Sequence, residues 1–288
     1  MRRWLLRLTV GVVLLLGLAI GGLLTFIYSG VYDVAATRQH TAPVYWAFLT
    51  GLRQSIRTHA AREVPQPPDL ADEKLITLGL VLYDRHCLQC HGAPGIAPDA
   101  VGLGMTPPPP NLVLPARERT ARELYWTVAN GLKMTGMPAW EYRMEEQELW
   151  AIVAFLKAMP TLSPTAYRSQ RARLVTDGKP AGEGTPEDSQ APRATGGDSE
   201  RGLLAIRQYG CQTCHLIPGV TGADSLVGPP LNGIASRKYL AGLLTNTPEH
   251  MIEWLRNPQS ISPLSAMPDL GVTERDARDI AEYLSTLH

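Results

Sequence analysis

The chain has 288 residues, a hydrophobic fraction of 44%, and 27 basic against 27 acidic side chains. That length and composition suffice for two ordinary domains with packed cores. A formal net charge of zero gives no support to nucleic-acid binding, which calls for a concentrated basic surface.

The first predicted element is apolar. From Leu8 to Tyr28 there is no charged residue, and Arg2, Arg3 and Arg7 precede the run. At ~1.5 Å per residue, a helix of that length crosses a hydrocarbon core of ~30 Å. Basic flanks stay cytoplasmic, so the rest of the chain should lie on the far side. Residues 1–28 read as an uncleaved single-pass anchor in the inner membrane. The remainder then sits in the periplasm or on the extracytoplasmic face. A cleaved signal peptide ending near Val34–Ala36 is the competing reading; its apolar region should span only ~7–15 residues.

Residues 29–71 read as a juxtamembrane segment. Tyr45, Phe48, Leu49, Leu52 and Ile56 fall on one helical face, and Arg53, Arg57 and Arg62 crowd the later turns. Such a stripe suits the lipid bilayer surface or a partner subunit, and equally a first globular segment packed beneath it. The run VPQPPDL, residues 64–70, then breaks the helix.

Residues 72–160 form a first globular segment. A predicted helix enters the motif region at YDRHCLQCHG, and another closes the segment over 145–159, with Leu149, Ile152, Val153 and Leu156 on one face. Residues 161–197 are rich in Gly, Pro, Ser and charge and read as a flexible interdomain linker, free to let the second segment swing. Residues 198–288 repeat the plan. Thr247 with Pro248 marks the start of a middle helix, and Thr273 with Asp276 resembles a capping box before the closing one. No strand-period run competes, so the fold class is all-α.

All four cysteines belong to two copies of C-x-x-C-H: Cys87, Cys90, His91 and Cys211, Cys214, His215. Two thiols at this spacing on a turn can bond the two vinyl groups of a porphyrin, and the adjacent histidine then ligates its iron. A structural zinc site wants two such pairs ~12–20 residues apart, far closer than Cys90 and Cys211. A thioredoxin-like pair wants a strand before it, and here a helix precedes. Disulfides would leave both histidines unexplained. The motifs predict two covalently bound haem c groups.

A six-coordinate haem takes a second axial donor, often a thioether. Met137 and Met267 each stand in a Met-Pro pair before the closing helix of their repeat, where proline blocks helical continuation. The metal ligands are thus His91 with Met137 and His215 with Met267. Met134 competes in the first repeat, and Met251, on the predicted middle helix, competes weakly in the second. The loops PPPPNL (107–112) and GPPLNG (228–233) each run from prolines into a leucine. A carbonyl at Pro110 or Pro229 can accept the proton on the far nitrogen of the ligating histidine, fixing its tautomer.

At these residues the chain resembles the class I cytochrome c family, and more narrowly membrane-anchored dihaem bacterial cytochromes c. The resemblance covers residues ~72–160 and ~198–288 and implies two tandem helical domains behind the transmembrane helix. It implies that Gly79 with Phe155, and Gly202 with Tyr283, mark the crossing of the first and last helices of each domain. It also implies that Arg237 and Tyr239 contact a haem propionate, for which the first repeat has no obvious counterpart. Trp140, beside the Met137 loop, either packs on the haem edge or fills core.

The expected function is electron transfer, not catalysis: with both axial positions filled, no site remains for substrate. Expected partners are a membrane-embedded redox complex of a respiratory chain, a quinol-oxidising donor or a terminal oxidase or reductase. Alternatives are the cytochrome subunit of a periplasmic dehydrogenase or of a terminal oxidase or reductase complex, and a dihaem peroxidase-like enzyme.

Overall fold

The computed structural model describes residues 2–174 and 196–288. The chain divides into two units, Met1–Gln39 and His40–His288. The first unit is helix α1, Arg2–Ser29, apolar on every side and long enough to cross a membrane. Its hydroxyls are satisfied internally: Thr9 Oγ1 donates to Leu5 O at 2.9 Å and Thr25 Oγ1 to Gly21 O at 2.8 Å. Gly30, at φ +63°, takes the left-handed conformation that ends a helix.

The second unit opens with α2, Ala42–Glu63. Ile56 and Ala60 on its inner stripe are fully buried. They pack towards α4, Ala121–Asn130, which starts at a capping box between Thr120 and Glu123. Arg122 Nη2 donates to Ala61 O at 2.9 Å and Trp126 Nε1 to Glu63 Oε2 at 2.7 Å. The amphipathic stretch therefore packs on the first globular segment. Trp46 stays exposed, and so does Phe48, which the spacing places on the apolar face.

Helix α3, Glu73–His86, crosses α5, Glu146–Ala158. Gly79 permits that approach: a Cβ there would strike the Ala151 carbonyl and sit 2.8 Å from the Phe155 Cβ. Every residue of α5 from Leu149 to Leu156 is buried, which makes it the central post of the first core.

The next element corrects the reading of 161–197 as a linker. Pro164–Leu174 is a helix, α6, packed on α3. Tyr167 is fully buried with its ring 6.3 Å from that of Phe155, and Arg171 pairs with the buried Asp84 carboxylate. Tyr167, the buried Pro164 and one ion pair hold a helix rich in arginine and other polar residues, which is why its composition reads as loop. The rest of the expected linker, residues 175–195, lies outside the described residues.

A second core follows. Helix α7, Ser199–Gln208, crosses α9, Glu274–Ser285, where Gly202 faces the Asp279 carbonyl; a Cβ there would also lie 3.0 Å from that of Tyr283. Asp279 is buried at this crossing. It accepts from Asp198 N at 2.7 Å and from Arg201 Nε at 2.8 Å, tying the start of α7 to α9. Between them lie α8, Pro248–Arg256, capped by Thr247, and a two-residue antiparallel hairpin pairing Tyr239 with Thr245.

Candidate functional site

The first cysteine motif sits where α3 ends. Cys87 is buried at the helix terminus, and a single turn, Leu88–His91, carries Cys90 and His91. Tyr83 Oη donates to Gly92 O at 2.6 Å, pinning the exit of the motif back onto α3. Gly92, at φ +62°, turns so tightly that a Cβ would meet Ile96 O at 2.6 Å. In the second motif a short turn, Cys211–Thr213, leads to Cys214 and His215.

Each motif histidine uses one ring nitrogen on a proline carbonyl. His91 Nδ1 is 2.8 Å from Pro110 O, and His215 Nδ1 is 2.7 Å from Pro229 O. A carbonyl only accepts, so Nδ1 carries the proton and Nε2 keeps a free lone pair. Burial lowers the pKa of both rings against the opposing pull of these bonds, which favours the neutral ligand form. Gly228 donates its N–H to Cys214 O at 2.8 Å, and a Cβ there would run into the His215 ring. Arg237 donates to Pro230 O and Asn232 O, bracing the Pro229 loop from behind. Tyr239 is 59% exposed, on the hairpin.

The four cysteines are free thiols. Burial pushes Cys87 and Cys211 up to about 12 and raises Cys90 and Cys214 as well. Such groups are protonated at neutral pH, unlike the thiolates of redox-active pairs. Among the described residues no three His, Cys, Asp or Glu side chains converge on a bare metal ion. The donor set instead fits a group that brings its own ring nitrogens: a neutral imidazole, two thiols able to form thioethers, and a methionine sulfur.

The two Met-Pro loops share a device. Met137 N donates to Thr135 Oγ1 at 3.1 Å, and Met267 N to Ser265 Oγ at 3.2 Å. Both methionines are half-buried against their own cores. Met134, by contrast, is 88% exposed at φ +60°, and Met251 is buried in α8 as core. The hydroxyl two residues before each methionine is visible in the sequence as TGMP and SAMP, a signal the motif reading passed over. Met105 was also missed: its sulfur would lie 2.7 Å from a Cβ at Gly136, next to the Met137 loop. Trp140 meets His86 in a tilted ring contact with centroids 5.1 Å apart, joining the same loop to the residue before Cys87.

The two motifs open onto one cleft. Cys90, His91 and Leu103 line it from the first half, and Gly210, Cys214 and Pro268 from the second.

Comparison with known proteins gives two findings. A family model described as cytochrome c oxidase, cbb3-type, subunit III matches residues 75–156. That segment is a cytochrome c domain, which implies covalently bound haem c. The cytochrome c oxidase subunit 2 of Alkalihalophilus pseudofirmus is 28% identical over 106 residues, 36% of this chain. The matched region spans 30% of that relative's length.

Proposed function

We propose that the chain is a membrane-anchored electron carrier holding two haem c groups, one in each half of the body. The observation that carries this is the duplication of geometry. Each half has a motif histidine on a proline carbonyl, a methionine amide on a hydroxyl two residues back, and a helix crossing closed by glycine. In this reading residues 72–174 and 198–288 are tandem cytochrome c domains. Cys87, Cys90, Cys211 and Cys214 would form the thioethers, and His91 with Met137 and His215 with Met267 would ligate the irons. Haem c supplies a one-electron iron couple when bound.

The protein's part is positioning. Pro110 and Pro229 keep each imidazole neutral and aimed, and the buried thiols fix the attachment edge. Met137 and Met267 would each supply a second iron ligand, which would leave no open position for substrate or oxygen and supports electron transfer as the function. The anchor places the body on the extracytoplasmic face of the inner membrane, within reach of a quinol-oxidising donor or a terminal oxidase or reductase. Both comparisons name cytochrome oxidase subunits, which favours a place within or beside an oxidase complex over a peroxidase.

The test is direct. Denatured protein should keep haem colour on a gel, with a mass two haems above the apo chain. Retention of one haem would show that one motif is unused. Rapid cyanide binding by a high-spin ferric haem would favour the peroxidase instead. Co-purification from native membranes identifies the partner complex.

A further inference from the structure

The two halves of the body touch at places that a freely swinging pair would not need. Gln259 lies on a short turn, Pro258–Ile261, in the second half. Its Nε2 donates to Gly95 O at 2.9 Å, on the loop that follows the first cysteine motif. Its Oε1 accepts from Arg168 Nη1 at 3.2 Å, and Arg168 belongs to α6 of the first half. Arg168 Nη2 also reaches Pro263 O at 3.4 Å. Gly95 is at φ +75°, and a Cβ there would lie 2.7 Å from Pro164 Cβ and 2.9 Å from Gln259 Nε2, so only glycine admits this approach.

The same glutamine amide lies 3.4 Å from Ser265 O, and the Ser265 hydroxyl holds the Met267 amide. The bonded chain therefore runs from α6 through Gln259 to both the post-motif loop of the first half and the methionine loop of the second. Three further contacts join the halves. Leu103 Cδ2 lies 3.2 Å from where a Cβ would stand at Gly210, the residue before Cys211. On α2, Arg53 pairs with Asp224 at 3.9 Å, and the Tyr45 ring would touch a Cβ at Gly222 at 2.9 Å.

We propose that Arg168 and Gln259 form a clasp that fixes the two halves with their cysteine motifs facing across one cleft. They are positioning residues that act through the Gly95 and Ser265 backbones. Tethered domains move relative to one another by default unless an interface holds them. Here a planar guanidinium bridges two acceptors at fixed spacing, a task that suits Arg and not a flexible amine. The clasp replaces the swinging second domain expected from the composition of 161–197. Its consequence for the haem groups rests on the two-haem reading above; the clasp itself does not.

The test compares the full-length holoprotein in detergent with an Arg168→Ala/Gln259→Ala double variant. Amide hydrogen exchange should speed up about tenfold or more at Ile96 and Met267 in the variant, because local opening no longer has to break the clasp. Unchanged protection at both amides overturns the clasp whatever the haem content. The second readout is magnetic coupling between the two ferric haems. It should be present in the wild type and weaken in the variant, while haem content and both iron–sulfur absorption bands persist. Two attached haems with no coupling in the wild type overturn the fixed pairing and leave the carrier reading intact. A chain with one haem overturns the carrier reading, and the exchange result then still decides the clasp.

Discussion

Met134 and Met137 stand three apart in one loop and offer the same sulfur, so geometry alone separates them. Met134 points to solvent from a left-handed backbone, whereas Met137 packs on the core with its amide held by Thr135. Met137→Ala and Met267→Ala should each remove one half of the weak near-infrared sulfur-to-iron band, and Met134→Ala should leave it whole. Loss of the band in Met134→Ala would reassign the ligand. Asp279 gives a second residue-scale expectation. Burial pushes its carboxyl up, but the Arg201 guanidinium and the Asp198 N–H outweigh burial, and the net pKa lies below the usual carboxylate range. A depressed carboxyl stabilises the fold above its unfolded pKa of ~3.9, and that contribution fades as pH falls through the lower native value. Asp279→Asn should cost about 2–4 kcal/mol at neutral pH and flatten the acid limb of an unfolding curve. The cysteines, histidines and Met-Pro pairs were legible because each signature is local in the chain. Met105 was not, because its approach to Gly136 exists only after folding.

The helix crossings set the distance between elements, and glycine sets the crossings. A branched side chain at Gly202 meets the Asp279 backbone, which cannot rotate away. Gly202→Val should therefore cost about 3 kcal/mol or more, read as a lower melting temperature and poor haem incorporation in the second half. Helix α6 is tested at Tyr167, whose ring is fully buried but whose hydroxyl has no partner among the described residues. Tyr167→Phe should be neutral or stabilising by up to ~1 kcal/mol, since it deletes an unpaired polar atom. Tyr167→Ala should cost about 3–5 kcal/mol by leaving a cavity between α3 and α5. A large loss in Tyr167→Phe would mean the hydroxyl is bonded after all. The closing helices were readable from their apolar periodicity. Helix α4 is announced by the T-x-x-E box at Thr120 and Glu123, a capping signal and not a periodic one. Helix α6 was not readable, because its stability comes from one tyrosine and one ion pair and its composition is that of a loop.

At the scale of the whole chain the question is what the N-terminal helix does for the body. If α1 stays attached, the body works at the high effective concentration that a tether provides, with no need for a strong docking charge. The balanced overall charge fits that arrangement, since a diffusing carrier relies on complementary surface charge to find its partners. Where a soluble version should begin follows from packing. Cutting near Pro65 would remove Ile56 and Ala60 from the body, together with the Trp126–Glu63 and Arg122–Ala61 bonds. Burying one isoleucine alone contributes about 1.5–3 kcal/mol, so that version should lose stability as well as its anchor. A chain beginning at His40 keeps α2 and should be soluble, keep its haem spectra, and melt near the full-length protein. Protein from native membranes should retain α1 and resist carbonate extraction. The His40 version, supplied to membranes at native concentration, should reduce its acceptor far more slowly than the anchored chain. A mature terminus at Thr37, or equal rates from anchored and soluble versions, would show that the protein acts as a diffusible carrier and that α1 serves only to export it.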